Sequence, residues 1–316
     1  MNKIVAGIDI GGTNTVYGLV DYLGKCIVKD SFPTKNFAVF EDFIKELSAR
    51  IQSLFQPISS KYILSGIGIG APNGNYYKGT IEYAPNLNWY GIVNVSESIK
   101  RYFDLPVVLT NDANATALGE MMYGGAIDMK DFIVITLGTG LGSGIVVNGQ
   151  IVYGHDGFAG EIGHTTVDPE GRSCGCGKKG CLETYVSASG LKKTVFELLK
   201  KSDKPSLLRE ISDFSGVDID NAARNGDEIA LEAFEFTGKI LGIKLADAIA
   251  HTSPEAIFLY GGLAKAGELI FKPTKKYMEE FLLPIYKNKV QLIPSLIEDS
   301  NAAVLGAAAL IWNEIN

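Results

Sequence analysis

Four cysteines are all that the 316 residues contain, and they do not pair off. Cys26 stands alone, while Cys174, Cys176 and Cys181 cluster. An odd cluster in a chain with no export signal reads as metal ligands, not as disulfides. Positive charge is also in short supply: 29 Lys and Arg stand against 36 Asp and Glu, a net charge of -7. No basic field is present to hold nucleic acid or an anionic membrane. An anionic cosubstrate would therefore need local help from backbone amides and a metal ion. No apolar run is long enough to span a bilayer. No signal peptide precedes the strand-like Ile4–Ile10, so the expected location is the cytoplasm. Gly-x4-Gly-Lys-Ser/Thr is missing, which excludes a P-loop enzyme. Gly66-Ile67-Gly68-Ile69-Gly70-Ala71 has dinucleotide-site spacing, but Pro72-Asn73-Gly74 follows where a helix is required. That run reads as a buried strand ending at a site loop.

What is present suits an α/β enzyme: 46% hydrophobic residues, 21% charged residues and 36 glycines. The length allows two cores, because single cores stop growing near roughly 250–300 residues. The chain opens on three short alternating segments, Ile4–Ile10, Val16–Asp21 and Cys26–Phe32, with Gly11-Gly12-Thr13-Asn14 as the first turn. The plan returns about half a chain later, which suggests two related domains. There Asp131–Leu137 precedes Gly138-Thr139-Gly140-Leu141-Gly142-Ser143, and Gly144–Val147 and Gln150–Tyr153 flank Asn148-Gly149. Helices are expected where Phe40, Phe43, Ile44, Leu47, Ile51 and Phe55 share one face, at Asn114–Met122, at Glu228–His251 and at the alanine-rich Ser300–Trp312. The domain boundary is expected near Asn111–Asn114. Residues 1–113 with 300–316 would form a small N-terminal domain, and 114–299 a larger one carrying the metal motif.

Three groups of residues carry chemistry. The two glycine turns can point backbone N–H groups at a polyphosphate. Asp9, just before the first turn, can hold Mg²⁺ directly or through water. Either turn taken alone reads more readily as an ordinary hairpin bend, and the pair in matching contexts reverses that preference. His164, Cys174, Cys176 and Cys181 make a Cys₃His set, a closed tetrahedral donor group for structural Zn²⁺. Glu161 and Glu183 flank that set, and a metal clamp would make them rigid acceptors for hydroxyl groups. His155 and His251 have no such company. Asp112 follows the apolar Pro106–Leu109 at a strand end, a common catalytic address in α/β folds, and can take the proton of an attacking hydroxyl. Asn111 can bond to a neighbouring hydroxyl. The alternative for this segment is a helix N-cap, which Asp and Asn both favour.

Assembled, these motifs resemble the ROK family (repressors, open reading frames and kinases), and its bacterial glucokinases above all, over nearly the whole chain. Asp9-Ile10-Gly11-Gly12-Thr13 and Leu137-Gly138-Thr139-Gly140-Leu141-Gly142 are similar to the family's phosphate motifs. Asn111-Asp112-Ala113-Asn114 is similar to its catalytic segment. Glu161-Ile162-Gly163-His164 with Cys174-x-Cys176-Gly-x-x-Gly-Cys181-x-Glu183 resembles its signature. The resemblance implies an α/β actin-like ATPase (ribonuclease H-like) fold, two α/β domains closing over sugar and ATP around a central cleft. It implies Asp112 as the base, and Asn111, Asp112, Glu161, His164 and Glu183 as sugar contacts. Asn86 joins them through Asn86-Leu87-Asn88-Trp89. Asp9, Gly11, Gly12, Thr13, Asn14, Gly138, Thr139, Gly140 and the pair Gly261-Gly262 form the implied nucleotide set. Asn14 departs from the pattern, since many members carry Lys there. The implied activity is phosphorylation of a hexose at its primary hydroxyl, with glucose favoured, and a place in glycolysis. N-acetylhexosamine or fructose kinases are the alternatives within the family, and a non-catalytic sugar sensor the alternative outside that class. Its transcriptional repressors carry a winged helix-turn-helix before the first phosphate motif, which here begins at Asp9. A homodimer is usual for similar proteins.

Overall fold

The computed structural model describes residues 1–297 and 302–315. The chain divides into two units, one of residues 1–130, 144–160 and 295–316, the other of 131–143 and 161–294. This division differs from the boundary expected at residue 113. The helix Asp112–Tyr123 packs along the helix Ala302–Ile315, so residues 114–130 stay with the first unit. Gly119 and Gly306 meet at that crossing, where a Cβ on Gly119 would stand 3.1 Å from Gly306 Cα. Residues 298–301 and 316, on which parts of the expected last helix and closing segments fall, lie outside the described residues.

The first unit is built on five strands: Asn2–Ile10, Asn14–Asp21, Cys26–Pro33, Tyr62–Ala71 and Val107–Asn111. Their order places the first strand at the centre, with the antiparallel second and third on one side and the parallel fourth and fifth on the other. One face of this sheet carries Ile4, Ala6, Ile8, Ile10, Ile67 and Ile69 into a fully buried cluster with Phe43, Ile44, Leu47 and Ile51 of the helix Phe40–Phe55. The apolar stripe expected on that helix is the face that packs there. Each large side chain so buried contributes roughly 1.5–3 kcal/mol of transfer free energy.

The other face explains the glycine run that mimicked a dinucleotide motif. Side chains alternate along a strand, so Gly66 and Gly68 point away from the isoleucine face. A Cβ on Gly68 would stand 1.9 Å from the Ala307 carbonyl oxygen, and one on Gly7 2.1 Å from that of Val304. These glycines let the alanine-rich helix Ala302–Ile315 lie directly against the sheet backbone. Trp312 of that helix is buried and meets Tyr22 edge-on at 5.5 Å.

In the second unit, Phe132–Leu137, Ala256–Tyr260 and Gln291–Pro294 run parallel, with Ile257 in register between Ile133 and Leu292. Asp227 caps the helix Glu228–Thr252 by accepting the Ile229 and Ala230 N–H groups at 3.0 Å. Gly238 and Gly242 then let that helix touch the helix Glu268–Phe281 closely, near Pro273 and Thr274. The strand Leu141–Val147 carries the chain from the second unit to the first. Asn148 and Gly149, with φ of 53° and 75°, turn it back into Gln150–Ile151 as the expected hairpin. Among the described residues no helix is long and apolar enough to cross a membrane.

Candidate functional site

In the first unit, strand register brings the two candidate acids together. Asp9 pairs with Gly70, and Gly70 with Thr110, all at the carboxyl ends of parallel strands. Asp112 begins the helix that follows. A Cβ on Gly70 would stand 3.8 Å from Asp9 Oδ1, 3.7 Å from Asp112 Cα and 3.2 Å from Ala115 Cβ. Gly70 thus lies between the Asp9 carboxylate and the helix start that carries Asp112. No local motif announces it, because its role comes from strand pairing.

The helix cap resolves the ambiguity at this segment. Asn111 is the N-cap, its Oδ1 accepting the Ala113 N–H at 2.8 Å, and Asp112 is the first helical residue. Asp112 Oδ1 accepts from the same N–H at 2.8 Å. The helix therefore starts two residues earlier than expected, with the acid inside its first turn. Asp112 keeps solvent-accessible surface yet lies deep in the protein. Desolvation raises its carboxyl above the usual range, against the lowering effect of the Ala113 N–H and of its own backbone amide. Asp9 is half-buried at its surface, and desolvation first, then the charge of Asp112, push it from 3.8 to about 7.

That shift has a consequence for stability. The folded chain holds the Asp9 proton more tightly than an unfolded chain would, so stability is highest with Asp9 protonated. It falls as pH rises from about 4 to about 7. In metal- and nucleotide-free protein, Asp9→Asn should raise the melting temperature at pH 8 and flatten the decline between pH 5 and pH 8. Thermal unfolding across that range checks this, and an unchanged pH profile in the variant would contradict it.

The first glycine turn is closed by Gly11 N–H donating to Asn14 O at 3.0 Å, with Thr13 and Asn14 exposed. The loop carrying Asn86 lies against it. Asn88 Nδ2 donates to the carbonyls of Lys35 and Phe37, and Trp89 Nε1 to that of Phe37, leaving Asn86 exposed. Trp89 is buried among Phe40 and Phe43.

The second unit carries the other turn and the cysteines. Gly138 N–H donates to Gly140 O, and Gly142 N–H to Thr136 Oγ1, both at 3.1 Å. Gly138 and Thr139 are exposed. Gly261, with φ of 104°, packs against the Leu137 backbone, and Gly262 follows it into the short turn Leu263–Ala266. The ligand atoms of His164, Cys174, Cys176 and Cys181 lie within 4.8 Å of one another. Cys176 Sγ is 3.6 Å from Cys181 Sγ, and Cys174 Sγ 3.7 Å from His164 Nδ1. Sulfurs at the corners of a tetrahedron with ~2.3 Å Zn–S bonds stand ~3.8 Å apart, so this set fits Zn²⁺. His155 and His251 are exposed and stand outside it.

Both flanking glutamates touch the knot. Cys174 Sγ donates to Glu183 Oε1 at 2.9 Å. His164 Nδ1 is 3.8 Å from Glu183 Oε1, and its Nε2 is 4.0 Å from Glu161 Oε2. The ring thus turns one nitrogen to the thiols and the other to Glu161. Ser143 Oγ accepts the Ile162 N–H and so pins the start of this segment. Arg172, which sequence reasoning passed over, fastens its end. Its NH1 donates to the Thr184 and Gly190 carbonyls, its Nε and NH2 to Glu197, and its Cζ lies 4.5 Å over the Tyr185 ring. A single Arg between His164 and Cys174 carries no periodicity or motif that would reveal this.

The chain matches the ROK family over residues 5–314. It is 35% identical to a glucokinase of Halalkalibacterium halodurans, covering 98% of this chain and 95% of that one. It is 30% identical to a xylose repressor of Caldicellulosiruptor bescii, covering 98% of this chain and 78% of the repressor. Among solved structures it superposes on a ROK family glucokinase from Streptomyces griseus in complex with glucose and AMPPNP. The TM-score is 0.80 and the identity 31%, over 97% of this chain and 98% of that one. This chain belongs to the ROK family and has the α/β actin-like ATPase fold of the family's sugar kinases.

Proposed function

We propose that the chain transfers the γ-phosphoryl group of ATP to the primary hydroxyl of a hexose, with glucose the preferred substrate and glucose 6-phosphate the product. The observation that carries this reading is Asp112, a carboxyl raised above its usual range at the end of a parallel strand, beside a second raised acid. A general base works best when its pKa lies near the working pH, and burial moves Asp112 that way. Its Oδ1 is held by the Ala113 N–H, and Oδ2 is the atom we assign to receive the hydroxyl proton.

The sugar-binding residues we assign are Asn86, Asn111, Asp112, Glu161, His164 and Glu183. With Oδ1 of Asn111 engaged as a cap, its Nδ2 supplies a donor, and the two glutamates supply acceptors. Asp9, Gly11, Gly12, Thr13, Asn14, Gly138, Thr139, Gly140, Gly261 and Gly262 form the nucleotide set. Two acids raised by burial, one of them further raised by the charge of the other, fit a hard dication, which favours their charged forms. Mg²⁺, when bound with the phosphates, supplies neutralisation of the charge on the transferring group. We assign structural Zn²⁺ to the Cys₃His set, and a cytoplasmic homodimer belongs to the same reading.

A site built on hydrogen bonds rejects an analogue that leaves a buried group unpaired by as much as ~10⁴-fold. A coupled assay over a sugar panel should give the highest kcat/KM for glucose, lower values for mannose and glucosamine, and the lowest for fructose. N-acetylglucosamine or fructose exceeding glucose would overturn the glucose assignment. Absence of turnover with every sugar would favour a non-catalytic sensor.

A further inference from the structure

Gly12 and Gly140 have no left-handed φ, so their own backbone conformation does not require glycine. What sets them apart is space. A Cβ on Gly140 would stand 2.7 Å from Glu183 Oε2. One on Gly12 would stand 2.4 Å from Asn86 O and 3.0 Å from Asn86 Cβ. Gly138 is different, with nothing within 4 Å of its Cβ position. Within one turn, then, one glycine opens outward and another is covered by a carboxylate of the same unit.

The residues around Glu183 reinforce this. Its Oε1 lies 2.9 Å from Cys174 Sγ on one side while Oε2 lies over Gly140 on the other. Its carbonyl accepts from Ser187 Oγ at 2.7 Å, and the Ala188 N–H donates to Gly138 O at 2.9 Å. The segment from Glu183 to Ala188 therefore braces the turn, and a side chain at position 140 would displace the carboxylate between them.

We infer that Gly12 and Gly140 are positioning residues for sugar recognition: the missing side chain at each leaves room for Asn86 and for Glu183. Their N–H groups remain available to phosphate, whereas the open side of Gly138 is the one that nucleotide approach requires. The inference rests on the proposal that Asn86 and Glu183 bind the sugar. It goes beyond that proposal by splitting the glycines of a phosphate turn between two ligands.

Glucose binding measured by calorimetry without nucleotide tests it. Gly140→Ala should weaken glucose binding by roughly 10–100-fold, the scale of a group misplaced by about 1 Å, while keeping one zinc per chain. Gly138→Ala should leave glucose binding within about twofold and raise KM for ATP. Adding Gly140→Ala to Glu183→Ala should cause no further loss of glucose affinity, since both act through one carboxylate. If Gly140→Ala is unstable alone, the double variant should recover the melting temperature of Glu183→Ala. Unchanged glucose affinity in Gly140→Ala, additive losses, or no such recovery would each overturn the inference alone. A wild-type chain that binds no hexose would overturn the functional proposal and the inference with it.

Discussion

Asp112→Asn should lower turnover by roughly 10²–10⁴-fold, the usual range for loss of a general base. The fold should survive, because an amide oxygen can still accept the Ala113 N–H that Asp112 Oδ1 accepts. Sugar affinity should also persist, since Asn can bond to the same hydroxyl. In the parent chain, kcat/KM should rise with pH through a pKa above the usual carboxylate range, as the base loses its proton. A second effect follows from the coupling of the two acids. Removing the Asp112 charge takes away one of the causes that raise Asp9, so Asp9 should titrate lower in the variant. Steady-state kinetics with glucose, together with NMR titration of the carboxyl groups, checks both. Near-normal turnover would remove Asp112 from the mechanism.

Loss of metal should be equally damaging. Cys181→Ser should yield protein without zinc and without measurable phosphotransfer, and a chelator should do the same to the parent chain. Cys181 is fully buried and 3.6 Å from Cys176, so a serine there removes one of the four donors of the set. The damage should reach the sugar contacts, because Glu183 and Glu161 both lie against the knot. Metal ligation takes the proton of Cys174, and with it the donor that Glu183 uses in the metal-free arrangement. The backbone of the knot has bonds of its own, Cys174 N–H to Lys178 O and Gly180 N–H to Arg172 O. The metal-free segment should therefore loosen without unfolding the whole unit. Elemental analysis beside the coupled assay measures this, and fully active protein containing no zinc would contradict it.

Some features were legible because their signals are local. The Cys₃His set shows itself by residue type and spacing, since few structures other than a metal knot place three cysteines and a histidine among so many glycines. The helix Phe40–Phe55 shows itself by its apolar period, and Asn148-Gly149 by the backbone angles that only such residues adopt easily. Other features depend on a distant partner. Gly66–Ala71 reads as a buried strand from its sequence, but that its glycines make room for the helix Ala302–Ile315 shows only in the packing. Trp89 ends the segment that carries Asn86, and its indole N–H reaches the distant Phe37 carbonyl while its ring lies in the core.

The sequence by itself determined which chemistries the chain carries: two glycine turns, a closed metal donor set, and an acid at the end of an apolar strand. Residue type and short-range spacing decide those, because coordination geometry and turn conformation are satisfied within a few residues. Only the tertiary structure decided which groups touch. It made Asn111 the cap and left Asp112 in the first turn, set Gly70 between Asp9 and the helix start that carries Asp112, and placed Asn86 on Gly12 and Glu183 on Gly140. All of these but the Asn111 cap join segments far apart in the chain. They follow from strand register and the close packing of backbones, neither of which has a local signature.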